Sequence, residues 1–179
     1  DMDIDENYIE QFMVDGREYQ KPYGPEYYRS EFKKQECFDT LLKWVNEKKR
    51  GKLSYAKRIL TNGFNYYSYF QQVKIVKTFL FQSLRDRRFA YRKLYGLWDK
   101  SFLDVVKQAW NEFHDEECGW LITRFFPKEF LAENLYTLSK PYNYYFLCKR
   151  LGQEEWFVPD KDKFKPNITI VQYLEAVSM

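Results

Sequence analysis

The amino-acid sequence predicts an all-α fold of stacked helical hairpins, and three observations carry that expectation. Apolar residues recur at i, i+3, i+4 and i+7, while the alternating pattern of a half-buried strand does not develop anywhere. Only seven glycines and six prolines occur in 179 residues, too few for a chain of tight β-turns. The helical pattern also echoes itself. A shift of 28 places Ala90 on Cys118, Leu94 on Ile122, Leu97 on Phe125, Trp98 on Phe126, Phe102 on Phe130 and Leu103 on Leu131. A small residue followed four later by a large one suits two closely packed helices, and successive hairpins of that kind stack into a short solenoid. The alternative is an irregular helical bundle.

Residues 1–25 read as an acidic N-terminal arm, in which Tyr8, Ile9, Phe12 and Met13 stand at helical spacing. Residues 26–179 read as a single all-helical domain, long enough to bury a core without disulfide or metal. Phe38, Leu41, Leu42 and Val45 form the apolar face of a first helix, with Lys48, Lys49 and Arg50 in its last turn and Gly51 just past it. A second helix spans about 54–61, capped by Ser54 and stopped by Asn62-Gly63. A third covers about 67–84, with Val73, Val76, Phe79 or Leu80, and Leu84 on one side. A fourth covers about 87–98, and a fifth about 101–113 with Ser101 and Asp104 as a capping pair. Shorter helices follow near 116–126, 128–138 and 142–151. A loop with Pro159 and Pro166 leads to a last helix near 168–177, capped by Asn167 or Thr169.

The stretches Asp86 to Leu94 and Asp115 to Ile122 look like the acid-opened start of a repeat. Over about residues 54–151 the chain resembles the HEAT-like helical repeat proteins. That resemblance implies an α-solenoid, although the units here are shorter than the usual period of about 40.

Charge is strongly segregated. Lys48 to Lys93 holds thirteen Lys or Arg and one acid, Asp86, a local net charge of +12 in a chain whose total is +3. Ten aromatics are interleaved with those bases. Arg88, Arg92 and Tyr95 would share a helical face, with Arg85 at its entrance. Lys74 and Lys77 share a face of the preceding helix, and Lys57 and Arg58 lie on the one before. Stacked in register, these eight residues would form a basic, Tyr-rich stripe for an anionic partner. The expected function is therefore a non-enzymatic binding module for a protein partner, acidic in character. Nucleic acid is the second candidate, because a stripe of bases neutralises phosphates and exposed rings stack on bases. A HEAT-like DNA-base repair enzyme is the third.

Catalytic and metal motifs are weak. His114 is the only histidine and precedes Asp115, Glu116 and Glu117, but adjacent acids at a helix start have no ligand spacing. No G-x-S-x-G, G-x-G-x-x-G or Walker loop occurs, so no cofactor is expected. Asp1, Asp3 and Asp5 open like a calcium loop, but Glu6 and Phe12 stand where glycine and glutamate are needed. Cys37, Cys118 and Cys148 are unpaired in spacing and read as buried, reduced thiols. With no apolar run near the ~20 residues of a membrane span and no signal-peptide layout, the expected location is cytoplasmic.

Overall fold

The structure is a computed structural model, and it describes residues 32–139 and 143–152. The arm over 1–25, the Asp1–Asp5 pattern and the last helix near 168–177 lie outside the described residues. The described residues form helices joined by short turns, with no strand among them. The all-α expectation holds. No helix among them is long and apolar enough to cross a membrane. The chain divides into two compact units between Gln82 and Ser83.

The first unit contains α1 (Gln35–Asn46), α2 (Leu53–Asn62) and α3 (Tyr69–Phe79). The predicted face of α1 is its buried face: Phe38, Leu41, Leu42 and Val45 are joined there by Cys37 and Trp44. This face packs on α2 and α3. The helix stops at Asn46, earlier than expected. Lys48 and Gly51 take left-handed φ of 50° and 79°, so the basic run forms the turn after the helix rather than its last turn. That turn continues directly into α2, with Leu53 N donating to Lys49 O at 3.0 Å. Ser54 is thus inside the helix and not its cap. The predicted stop at Asn62-Gly63 is observed, and a Cβ on Gly63 would lie 2.9 Å from Ile59 O.

The third helix is shorter than expected, ending at Phe79, and Leu84 belongs to the next helix, which starts earlier than about 87. Ser68 opens α3 with a full capping box, accepting from Gln71 N while Gln71 Oε1 accepts from Ser68 N. Ile75, Val76 and Phe79 face inward, whereas Val73 is half-buried. The chain then breaks because Ser83 caps a new helix: its Oγ accepts from Asp86 N at 3.4 Å and donates to Asp86 Oδ2 at 2.7 Å. Leu84, expected on the apolar side, is 42% exposed in the first turn of that helix.

The second unit contains α4 (Leu84–Leu97), α5 (Leu103–Phe113), α6 (Glu116–Phe125), α7 (Lys128–Glu133), α8 (Leu135–Leu138) and α9 (Tyr144–Arg150). The span 128–138 is split at Asn134, so one expected helix is two short ones. Before α5, a 3-10 turn over Lys100–Phe102 replaces the expected cap. There Ser101 Oγ donates to Asp99 Oδ2 at 2.9 Å. Helix α6 is the centre of this unit, packed by α4, α5, α8 and α9. Its Cys118, Gly119, Leu121, Ile122 and Thr123 are all buried. Gly119 lets α5 come close, because a Cβ there would sit 3.4 Å from the Trp110 ring.

Candidate functional site

The eight predicted site residues fall four in each unit. In the first unit Arg58, on α2, and Lys74 and Lys77, on α3, are exposed, and Lys57 is half-buried. In the second, Arg85, Arg88, Arg92 and Tyr95 all lie exposed on α4, as the spacing predicts.

The neighbours of these α4 side chains come from α6. Arg88 Nε lies 3.3 Å from Glu117 Oε1 and Arg92 Nε 3.6 Å from Glu117 Oε2. The two bases therefore share one carboxylate, which offsets part of the charge they could offer a ligand. One residue before each of these, Arg87 grips Asp115 with Nε at 2.7 Å and Nη2 at 3.1 Å, while Tyr91 donates its hydroxyl to Asp115 Oδ2 at 2.6 Å. The Arg87 guanidinium also sits 3.8 Å over the Phe113 ring. Hydrogen bonding to Asp115 raises the Arg87 pKa. This cluster fastens α4 to the start of α6, and its donors and acceptors are directed at each other rather than at a cleft.

His114 is exposed. It ends α5 in a left-handed conformation, φ 51°, with its ring 4.8 Å from that of Trp110. The expectation that it lies between two helices is met. Among the described residues no group of three His, Cys, Asp or Glu is placed to hold a metal ion.

The thiols of Cys37, Cys118 and Cys148 are buried and none is in a disulfide. Burial pushes the Cys118 thiol up to about 12. Because the thiolate is the reacting form, Cys118 should resist iodoacetamide at neutral pH and react only once denaturant is added. Mass spectrometry of timed alkylation would check this, and rapid labelling of the native chain would refute it.

Only Tyr95 of the predicted set borders the large cavity of the second unit, a groove of about 780 Å³. The groove lies where the end of α4 and the last turns of α6 meet α9. Tyr95, Trp120, Phe125 and Phe146 supply rings to its described lining. Trp120 is 37% exposed and Phe146 57%, the latter with the Tyr145 ring edge-on at 5.4 Å, so apolar ring surface remains open to solvent. Behind them, Trp98 stacks on Phe125 at 4.8 Å and 11°, so the Phe125 ring is held from one side.

The remaining described lining is basic or neutral. Arg124, Lys149 and Arg150 are cations, and none has a carboxylate within ion-pair distance among the described residues. Arg150 has a structural task as well. Its guanidinium donates to Thr123 O at 3.0 Å and to Phe126 O, satisfying carbonyls that the end of α6 leaves open. Asn143 is 2% exposed at the base of the groove. Its Nδ2 donates to Thr123 Oγ1 at 2.7 Å and Leu138 O at 2.8 Å, with Gly119 O at 3.4 Å. The two carbonyls fix which way the amide points, because only its nitrogen can donate to them. No described protein group donates to the opposite atom, Oδ1.

Trp120 with Arg124, and Phe146 with Lys149 and Arg150, are i, i+4 and i, i+3, i+4 sets on two predicted helices. An aromatic on an otherwise polar face was the signal that could have found them. That the two helices turn these sets toward one groove is a tertiary fact. No protein-family model matches the chain, and no curated protein or solved structure matches it.

Proposed function

We propose that this protein is a non-enzymatic helical-repeat binding module that holds a segment of an acidic protein partner in the groove of its second unit. One observation carries the reading: three cations without a carboxylate partner among the described residues stand beside four aromatic rings in a single groove of about 780 Å³. Charge of one sign beside exposed apolar area favours an anionic ligand with an apolar anchor. The volume lies within the range of about 300–1,000 Å³ typical of ligand clefts and cavities. The packing of α4 and α5 on α6 supports the stacked-hairpin reading, since α4 and α6 are then alternate helices lying side by side. The groove is preferred to the α4 bases because Arg88 and Arg92 already face Glu117. A base-repair reading needs a carboxylate against the rings, and the described lining supplies cations there.

A photo-crosslinking residue in place of Phe146, in cells expressing the chain, tests this. The same residue in place of Asn111, exposed on α5, is the control. The expected result is a protein adduct from position 146, absent from position 111 and lost when Arg124 and Lys149 are replaced by Gln. Adducts to nucleic acid alone, or equal adducts from both positions, would overturn the proposal.

A further inference from the structure

Building on the groove reading, we infer that its occupant is a short acidic segment of a partner protein carrying an aromatic anchor next to its carboxylates. The anchor ring would lie against Trp120 and Phe146, and the carboxylates would face Arg124 and Lys149.

Four features of the groove specify this ligand. Trp120 and Phe146 are partly open ring surfaces, Phe146 with Tyr145 at its edge, and another flat ring covers what remains open with favourable edge or offset contacts. Arg124 follows Trp120 by four residues on α6, and Lys149 follows Phe146 by three on α9. Each helix therefore puts a cation one turn beyond its ring, so the bound ring and the bound charges must be near neighbours in the ligand. Both cations are exposed and have no described carboxylate partner, so an incoming carboxylate displaces no internal ion pair. The nearly buried Asn143 amide has its nitrogen committed and no described donor at its oxygen. A peptide supplies a main-chain N–H for such an acceptor beside each of its side chains. Phosphate groups would satisfy the cations but bring no donor to the Asn143 oxygen.

The probe is a fluorescein-labelled peptide, Asp-Glu-Trp-Phe-Glu-Asp, titrated with the full chain and followed by anisotropy. Two analogues accompany it: one with Asn and Gln for the acids, one with Ala for the rings. The expected result is saturable binding that weakens with salt and falls by about tenfold or more for either analogue. Replacing Trp120 by Ala, or Arg124 and Lys149 together by Gln, should cause a similar fall. Lys149→Gln alone alters only an exposed side chain and keeps the test valid if Trp120→Ala does not fold. Equal binding of the neutral analogue would overturn the inference. So would tighter, groove-dependent binding of labelled oligothymidine. So would binding that appears only when Trp156 and Phe157 of the chain's own Glu154-Glu155-Trp156-Phe157 are replaced by Ala, because the chain itself would then be the occupant. A protein adduct at position 146 that maps outside any acidic aromatic segment would sink this inference and leave the binding-module reading standing.

Discussion

Replacing Asp115 with Ala is expected to lower the unfolding free energy by about 2–3 kcal/mol, less than the full cost of about 3–5 kcal/mol for a fully buried pair because this one is part-buried. The Arg87 and Asp115 side chains are only 12% and 10% exposed, so water replaces little of what the carboxylate provides. The substitution also removes the acceptor of the Tyr91 hydroxyl, on a residue that is 0% exposed. Against a total stability of about 5–15 kcal/mol, such a loss is a sizeable fraction of the whole. Asp115→Asn should cost less, since the amide keeps one acceptor oxygen. Urea unfolding of the three proteins would measure the series, and a loss under about 1 kcal/mol for Asp115→Ala would show the pair to be surface-like.

The same cluster sets an acid limit. Burial works against the Asp115 charge, but the bonds from Arg87 and Tyr91 outweigh it and hold its pKa below the ordinary carboxylate range. A depressed pKa in the folded state means a contribution fully present above the unfolded value of about 3.9 and lost as pH falls through the folded one. Below about pH 4 the wild type should therefore lose stability more steeply than Asp115→Asn, which has no proton to take up there. Parallel slopes for the two proteins would remove Asp115 from the account.

Trp110→Ala is the second large effect, expected at about 3–5 kcal/mol for an aromatic side chain removed from a core. Trp110 is 2% exposed, carries the His114 ring on one side and meets Gly119 of α6 on the other. Gly119 offers no side chain that could swing into the space, so the cavity should stay largely open. Thermal melts of Trp110→Ala and Trp110→Phe would test this. The phenylalanine variant should recover part of the loss, and equal melting of both with the wild type would show that α5 does not depend on this contact.

The helices of this protein were legible because local pattern suffices for them. Phe38, Leu41, Leu42 and Val45 repeat at 3.6 residues and bury together, and Asn62-Gly63 ends α2 as its composition says. Boundaries were read less well where two local signals compete. Lys48 to Gly51 has the composition of a helix end, yet two left-handed residues make it a turn. Ser83 was hidden inside an apolar period that continues past it, although its hydroxyl caps the next helix.

The bases of α4 show what composition cannot decide. The +12 segment marks where positive charge is dense, but a charge is offered to a ligand only if its neighbours leave it unopposed. Glu117 and Asp115 come from more than twenty residues away, and they face Arg88, Arg92 and Arg87. By contrast, Arg124, Lys149 and Arg150 lie outside the dense segment and meet no described carboxylate. The sequence by itself determined the helical class, the buried faces and the thiols, since each follows from residue type and short-range period. Only the tertiary structure decided which cations are paired and which rings share a groove, because pairing depends on distances between helices that no local period encodes.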